Sequence, residues 1–286
     1  MLELILENPE TTHDLAIYEF NEHSSENKLV EKLIIFCHGA GGRAGQFENV
    51  CSLLSEQHKD WHLIALDQIG HGKSFSSDKT YDKADFKFEK LYSNLEFVVN
   101  HYRNKYEQNG HTVELIIVGH SVGSGLSMKF VSKHTDIVKK LILLGTKEDA
   151  PGQSPVWILP VFALDMLRGV FSANFKKLAY HESTSDEIIE KESESTKNNS
   201  MFMMKSICTQ LQWPTHDEIA SIKIPTLVIA GETDGLTPPE KGKLVHELIE
   251  GSQFVVLEKT SHNMMIEKPA LVADAIEKFL TCEEDL

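Results

Sequence analysis

A serine between two glycines is the first feature of this sequence that could carry out chemistry. Residues 118–125 read VGHSVGSG, with Ser121 at the centre of a Gly-x-Ser-x-Gly pattern. An apolar run of strand length precedes it at 113–118, and the stretch 126–134 places apolar side chains at helical spacing. The sequence therefore predicts a strand, a sharp turn and a helix, with the Ser121 hydroxyl raised at the turn as a nucleophile.

A serine hydroxyl is a weak nucleophile until a base removes its proton, and His262 is the residue best placed to do so. The chain has 14 histidines, so position decides the assignment. His262 follows the predicted strand 253–257 in a short loop. Because the carboxyl ends of parallel strands share one edge of a sheet, this loop is expected on the same edge as Ser121.

The base in turn needs an acid that holds its tautomer and stabilises the imidazolium ion. Asp234 lies in the loop 230–238, AGETDGLTP, directly after a predicted strand. An Asp-Gly pair in a loop is often only a turn, but its place between the candidate nucleophile and base favours a catalytic role. Asp149, after the preceding strand, is a second candidate acid, and Glu232 is a weaker third.

An oxyanion hole would complete such a site. One donor is predicted to be the backbone amide of Val122, which follows the nucleophile. The other is predicted to be the amide of Ala40, within the sequence HGAGG at 38–42 after an apolar strand. Glycines on this loop allow its backbone to approach a reacting oxygen closely, and each such donor is worth roughly 10²–10³ in rate.

The elements that must position these residues follow an alternating pattern of strands and helices. This pattern predicts right-handed crossovers and an α/β fold with a mostly parallel eight-stranded sheet, helices on both faces and an antiparallel pair at one edge. The predicted strands are 2–6, 14–20, 32–37, 62–67, 113–118, 140–144, 225–230 and 253–257, and the predicted helices are 44–58, 87–107, 126–134 and 269–281.

One segment interrupts the pattern. About 80 residues without a strand signal separate the strands that end at 144 and start at 225. They predict a helical lid, whose apolar stretches 156–167 and 201–204 either pack on the core or line a substrate pocket. A peripheral membrane contact through 156–167 is a less favoured alternative. The predicted division is a core of 1–148 and 217–286, interrupted by a lid insertion at 149–216.

Composition excludes several classes of protein. The net charge of −15 argues against nucleic acid as a partner and against a purely electrostatic attachment to anionic membranes. Four cysteines without CxxC spacing, and no Cys/His pattern, predict neither a metal site nor another cofactor. The start of the sequence lacks a basic region, and no apolar run approaches the roughly 18 residues of a membrane span. A cytoplasmic location is therefore predicted, whereas the oligomeric state is not readable.

Taken together, these pieces resemble the α/β-hydrolase superfamily. The order Ser121, Asp234, His262 is the order of its catalytic triads. The stretch 67–74, DQIGHGKS, resembles the D-x-x-G-x-G-x-S segment of its lid-bearing branch of lipases, esterases and epoxide hydrolases. The resemblance covers nearly the whole chain outside the insertion. It implies structural roles for Asp67 and His71. They would shape the entrance of the active site and support the sharp turn at Ser121, which in this family is called the nucleophile elbow.

Two departures narrow the activities that the resemblance implies. Epoxide hydrolases and haloalkane dehalogenases carry an aspartate at the elbow, so Ser121 argues against both. Some relatives with acyltransferase activity place an aspartate where this chain has Glu267, which argues against acyl transfer. The remaining prediction is a serine hydrolase that cleaves a small, apolar ester through an acyl-enzyme.

Other readings of the same residues stay in view. A peptidase, a thioesterase and a carbon–carbon hydrolase can share the same triad. A non-catalytic relative could use the insertion to bind a ligand or a partner. The sequence 39–44, GAGGRA, followed by Asp60, also imitates a nucleotide-binding pattern, but that hypothesis leaves Ser121, Asp234 and His262 unexplained.

Overall fold

The computed structural model of the protein describes residues 1–21, 30–76, 79–150 and 154–282. Residues 151–153 of the predicted insertion lie outside this range. Eight strands form one sheet in the order β1-β2-β4-β3-β5-β6-β7-β8. The strands are β1 (Leu2–Asn8), β2 (His13–Phe20), β3 (Lys32–Cys37), β4 (Trp61–Leu66), β5 (Glu114–His120), β6 (Val138–Leu144), β7 (Thr226–Gly231) and β8 (Gln253–Leu257).

Most of the sheet is parallel. β1 pairs with β2, and β2 with β4, in antiparallel register. Every other neighbouring pair, from β4–β3 through to β7–β8, is parallel. The strands β3, β4 and β7 are buried along their whole length, as expected of near-continuous apolar runs that helices cover on both faces. The predicted eight-stranded, mostly parallel sheet with an antiparallel edge pair is confirmed.

Helices pack on both faces of this sheet. On one face, α2 and α3 share a core cluster with β3, β5 and β6, and on the other α1 and α11 share a second cluster with β4 and β7. The helices are α1 (Glu48–Gln57), α2 (Phe88–Glu107), α3 (Val122–Lys133), α4 (Val161–Met166), α5 (Arg168–Ala179), α6 (Asp186–Thr196), α7 (Met201–Cys208), α8 (His216–Ala220), α9 (Pro239–Leu248), α10 (Met264–Glu267) and α11 (Pro269–Thr281).

The segment between β6 and β7 consists of helices and the loops that join them in its described part. It contains the short turn Pro155–Ile158 and helices α4 to α8, and residues 154–225 include no strand. Leu164 of α4 and Met203 of α7 are buried, and Met203 belongs to a core cluster. The division at residues 149 and 216 stays a prediction. Within the described residues, no helix is both long and apolar enough to cross a membrane.

Candidate active site

Ser121 stands at the corner between β5 and α3. Its backbone has φ 53° and ψ −120°, a left-handed conformation that is costly for a residue with a side chain. The strand ends at His120 and the helix begins at Val122, so the turn consists of Ser121 alone. This strained corner holds the hydroxyl at the carboxyl edge of the sheet, where an incoming group can reach it.

The backbone around this corner is packed too closely for side chains at two positions. A Cβ at Gly39 would lie 2.8 Å from the Cβ of Ser121, and one at Gly123 would meet the carbonyl oxygen of His38 at 2.6 Å. Glycine at these positions therefore lets the loop after β3 approach the start of α3. This close approach of the two backbones places Ala40 near Ser121.

Asp234 and His262 form a buried pair at the ends of β7 and β8. The Nδ1 atom of His262 lies 2.8 Å from Oδ2 of Asp234, and both side chains are almost completely shielded from solvent. The hydroxyl of Thr237 donates to the same Oδ2 at 2.7 Å, and the amides of Leu236 and Thr237 donate to Oδ1 at 2.8 Å each. Four donors therefore surround one carboxylate, which favours its charged form.

The charge of Asp234 results from opposed effects. Burial alone would raise its pKa, but the nearby His262 and the hydrogen bonds from His262 and Thr237 outweigh burial. The net pKa of Asp234 is lowered from its ordinary value, so the carboxylate is ionised at neutral pH. An ionised acceptor opposite Nδ1 assigns the proton of a neutral His262 to Nδ1 and leaves Nε2 as the atom able to accept a proton.

The imidazole of His262 lies beside the elbow. Its ring centroid is 4.6 Å from that of His120, the residue before Ser121. A Cβ at Gly145, after β6, would come within 3.1 Å of Nδ1. Within the described part of the chain, the Ser121 hydroxyl has no hydrogen-bond partner. The structure therefore contains a hydrogen bond between Asp234 and His262 but none between His262 and Ser121. Such bonds are often long before a substrate binds.

His120 has a role that the sequence analysis missed. Its Nε2 donates to the carbonyl oxygen of His262 at 3.0 Å, which ties the end of β5 to the loop that carries the base. Burial, together with the nearby His262, lowers the pKa of His120 well below its usual value. The ring is therefore neutral and holds His262 without adding a competing charge. Its position directly before Ser121 was the only available sequence signal.

Two backbone amides beside the elbow lack a hydrogen-bond partner within the described part of the chain. Those of Ala40 and Val122 have no acceptor among the described residues, and the Val122 amide lies at the N-terminus of α3, where the helix dipole favours negative charge. The peptide that carries the Ala40 amide is fixed, because the carbonyl oxygen of Gly39 accepts from Nδ1 of His38 at 2.8 Å and from the Gly42 amide at 3.0 Å. This arrangement suits an oxyanion.

The segment 67–74 supports this loop from behind. Nε2 of His71 accepts from the amide of Gly41 at 3.0 Å. The carboxylate of Asp67 accepts from the amides of Ala44 and Lys73, at 2.6 and 2.9 Å. Both side chains are buried and act on backbone groups, which agrees with the structural roles that the resemblance implied for them.

The insertion contacts the acid and base loops directly. The carbonyl oxygen of Leu178, at the end of α5, accepts from the Gly235 amide at 2.9 Å and from the Ser261 hydroxyl at 3.0 Å. The next carbonyl, that of Ala179, accepts from the Asn263 amide at 3.1 Å. One helix end therefore holds the neighbours of both Asp234 and His262, and no sequence pattern indicated this contact.

The insertion also contacts the loop that bears Ala40. Nδ2 of Asn199 donates to the carbonyl oxygen of Gly41 at 2.6 Å. The buried carboxylate of Glu192 accepts from Arg43 at 2.8 Å and from Gln46 at 2.9 Å. Because a charged hydrogen bond that is largely shielded from solvent is stronger than an exposed ion pair, these contacts anchor α6 on the same loop.

Glu267 stands in the position of the aspartate found in some acyltransferase relatives. One of its oxygens accepts from the amide of Ser261 at 2.9 Å, and the other accepts from the amide of His181 and the hydroxyl of Thr184, both at 2.7 Å. The carboxylate therefore joins the base loop to the chain that leaves α5. It positions backbone groups and, among the described residues, forms no hydrogen bond to Ser121.

The two alternative acids lie elsewhere. Asp149 is exposed and sits 3.1 Å from Nε2 of His216. Glu232 is exposed and accepts from the amide of Lys259 at 2.8 Å. Neither is bonded to His262, so among the three carboxylates considered, only Asp234 contacts the candidate base.

Lowering the pH from about 6 to about 5 is expected to reduce the free energy of unfolding by roughly 3–4 kcal/mol. Burial lowers the pKa of His38 to about 4 and, with help from His38, that of His71 to about 3, and His120 is shifted in the same direction. Unfolded histidines accept a proton near pH 6.5, so the unfolded chain binds about three more protons in this range.

The contribution of these histidines is therefore complete above about pH 6.5 and decreases as the pH falls toward their folded pKa values. Urea unfolding at about pH 7, 6 and 5 measures the slope. The variant His71→Gln should reduce that slope by the contribution of about one proton, because one of the shifted histidines is removed. A slope that is the same in His71→Gln and His120→Asn as in the unmodified chain would contradict this explanation.

A mostly parallel eight-stranded sheet, with a serine elbow and an Asp–His pair on one edge, defines the architecture of the α/β hydrolases. The chain belongs to the alpha/beta hydrolase fold family, whose sequence model matches residues 32–269. The fold class anticipated from the sequence is therefore confirmed. The family assignment does not by itself define a substrate, since this fold supports many activities.

Several known proteins are similar to this chain at low identity. Protein ABHD8 from Mus musculus is 22% identical over 267 residues, which cover 92% of this chain and 58% of that protein. The chain thus spans less than two thirds of that relative. Lipase 1 from Psychrobacter immobilis is 22% identical, with 90% of this chain and 79% of the lipase covered. A thermophilic esterase structure from Thermogutta terrifontis superposes with a TM-score of 0.77 at 20% identity, covering 98% of both chains.

Proposed function

We propose that the protein is a serine hydrolase that cleaves esters of an apolar acyl group through Ser121, His262 and Asp234. The observation that carries this proposal is the buried hydrogen bond of 2.8 Å between His262 Nδ1 and the ionised Asp234, placed beside a strained serine elbow. A protein that only binds a ligand needs neither the strain nor the buried acid–base pair. The names of the lipase and esterase relatives agree with this class of reaction.

In the proposed first step, Oγ of Ser121 forms a bond to the carbonyl carbon of the ester, and its proton passes to Nε2 of His262. The carbonyl oxygen takes up the electron pair as an oxyanion, which the amides of Ala40 and Val122 stabilise. Asp234 stabilises the imidazolium ion that forms. The bond to the leaving oxygen then breaks, and the proton moves from Nε2 to the departing alcohol.

In the second step, water replaces the alcohol. His262 Nε2 accepts a proton from water as the hydroxyl attacks the acyl-enzyme carbonyl. The second oxyanion collapses, the bond to Ser121 Oγ breaks, and the proton returns to the serine. The acid is released and the enzyme is restored, so the sequence requires no cofactor.

Apolar surroundings of the open amides support an apolar acyl group. The Sδ atom of Met204 would lie 3.2 Å from a Cβ at Gly41, next to Ala40, so a flexible apolar side chain of the insertion flanks the oxyanion loop. We infer that residues 149–216 act as the lid that shapes the acyl site. This segment forms hydrogen bonds both to the loop that bears Ala40 and to the loops that carry Asp234 and His262.

A fluorophosphonate probe tests the proposal, because it reacts covalently with an activated serine and not with an ordinary one. We expect stoichiometric labelling of the folded chain, and peptide mapping by mass spectrometry should place the label on Ser121. Turnover of a panel of p-nitrophenyl esters of increasing chain length then defines the acyl group, and matched amides and thioesters test the related bond types. A folded protein without label and without turnover on the whole panel would favour a non-catalytic binding role.

A further inference from the structure

The insertion carries an unusual concentration of exposed apolar side chains. Seven of the fifteen large apolar side chains that are exposed among the described residues fall within 158–178, far more than an even distribution would place there. The most prominent are Ile158, Phe162 and Met166, with 83%, 69% and 83% of their surface exposed. Clusters of this kind mark interaction sites rather than ordinary surface.

These side chains belong to neighbouring elements. Phe162 and Met166 are one helical turn apart on α4, and α5 follows α4 after a single residue. The rings of Trp157 and Phe171 stack with centroids 6.3 Å apart, which brings the turn Pro155–Ile158 against α5. We call the group Ile158, Phe162, Met166, Val170 and Phe175 the apolar surface.

The charge around the apolar surface is opposite to that of the chain. Residues 154–179 contain three cations and one carboxylate, a net charge of +2 in a chain of −15. Arg168 pairs with Asp165 at 2.7 Å. The side-chain ammonium groups of Lys176 and Lys177, beside the exposed Phe175, form no ion pair or hydrogen bond among the described residues. The two lysines are therefore available to an external anion.

We propose that the apolar surface docks on a phospholipid membrane. Exposed Phe, Met and Ile side chains fit the boundary between headgroups and acyl chains, and lysines at its margin pair with headgroup phosphates. The total charge of −15 opposes a purely electrostatic attachment, so apolar insertion supplies most of the affinity and Lys176 and Lys177 orient the contact. This proposal concerns a surface outside the acid–base site and does not depend on catalysis.

A second copy of the chain fits this surface less well. A symmetric contact would bring the cationic margins of both copies into one interface and would supply no anionic partner for Lys176 and Lys177. It would also bring together two chains that each carry a charge of −15. A phospholipid membrane offers acyl chains to the apolar surface and headgroup phosphates to Lys176 and Lys177.

Docking in this way would bring the candidate site to the membrane. The helix that bears Val170 and Phe175 ends at Leu178 and Ala179, whose carbonyl oxygens accept from the loops that carry Asp234 and His262. The helix is 12 residues long, about 18 Å from end to end. The site would therefore lie within a short distance of apolar molecules dissolved in the bilayer.

Sedimentation with vesicles of phosphatidylcholine containing a minor fraction of phosphatidylglycerol tests the proposal on the full chain. We expect binding, and a decrease of roughly a hundred-fold or more for the double variant Phe162→Asp/Met166→Asp, which loses two apolar contacts and adds charge. Lys176→Gln and Lys177→Gln should each weaken binding by about five-fold. The control is Leu244→Asp, which places one such charge at an exposed apolar position on α9 and should leave binding unchanged.

Circular dichroism and thermal melting establish that each variant is folded, and Ser121→Ala should bind vesicles as the unmodified chain does. Three results would overturn the proposal: no vesicle binding by the folded chain, equal losses for Leu244→Asp and the double variant, or a conversion from dimer to monomer in the double variant without an effect on vesicles. The last result would assign the surface to a second copy. Vesicle binding without fluorophosphonate labelling would reject the proposed function and leave this inference standing.

Discussion

Replacement of Ser121 by alanine is expected to reduce kcat by about six orders of magnitude, because the acyl-enzyme can no longer form. The folded structure should hardly change. The Ser121 hydroxyl has no hydrogen-bond partner within the described residues, and alanine has the same difficulty with φ 53° as serine has. We therefore expect the free energy of unfolding to differ by no more than about 0.5 kcal/mol. Steady-state kinetics on the best ester of the panel, together with urea unfolding, measures both quantities.

Ser132→Ala is the matched control for this variant. Ser132 lies near the far end of α3, and among the described residues its hydroxyl bonds only to the carbonyl oxygen of Lys129, at 3.0 Å. This control should retain kcat within a factor of about two. Turnover by Ser121→Ala at the rate of the control would show that Ser121 is not the nucleophile. The absence of fluorophosphonate labelling in the same Ser121→Ala preparation excludes a contaminating serine esterase as the source of the activity.

The sheet was predictable because each of its strands carries its own signal. The runs that form β3, β4 and β7 are apolar over four or five consecutive residues, which few structures other than a strand buried on both faces can accommodate. The predicted bounds differ from the observed ones by only a few residues. For α3, the start at Val122 was not anticipated, since Gly123 and Gly125 are poor helix formers. Tertiary packing against β5 overrides that local preference.

The candidate acid and base could be predicted from the sequence because their order along the chain and their positions after predicted strands can be read from it directly. The sequence favoured Asp234 over Asp149, although both follow a strand at the same edge. Only the coordinates show that Asp149 pairs with His216 and that Thr237 supports Asp234. The role of His120 was inaccessible for the same reason, because its partner is the carbonyl oxygen of His262, 142 residues away.

The insertion was the least predictable part of the chain. Its composition indicated helices, but hydrophobicity alone did not distinguish Leu164, which is buried, from Phe162 and Met166, which are not. On a helix this short, the face that is buried depends on which part of the protein the helix packs against. That packing partner cannot be read from the sequence. Its anchors, Glu192 and Asn199, are polar residues in a stretch rich in Glu, Ser and Lys, where no apolar pattern marks a contact with the core.

These anchors suggest how the parts of the site are held together. The insertion fixes the oxyanion loop through Asn199 and Glu192, and it fixes the acid and base loops through the end of α5. Elements that come from distant parts of the chain are thus joined by one segment. Since a displacement of about 1 Å can cost two orders of magnitude in rate, changes in the insertion should alter kcat as well as substrate choice.

Replacement of Asp234 by asparagine is expected to lower kcat by about four orders of magnitude. Oδ2 of Asp234 now accepts from both Thr237 Oγ1 and His262 Nδ1. An amide nitrogen in that place cannot accept, so the His262 proton shifts to Nε2, the atom that must receive the serine proton. The charge that stabilises the imidazolium ion is lost as well. Steady-state kinetics measures the loss, and the proton-bearing nitrogen of His262 can be assigned by nitrogen NMR.

Asp149→Asn and Glu232→Gln are the controls, because both residues are exposed carboxylates that were also considered as the acid. Each should change kcat by less than about two-fold. Fluorophosphonate labelling of Asp234→Asn should become slow without disappearing, since Ser121 remains at the elbow and only its activation is impaired. A loss of activity confined to Asp149→Asn would transfer the role of the acid to that residue. Equal, unimpaired rates in all three variants would show that His262 works without a carboxylate partner.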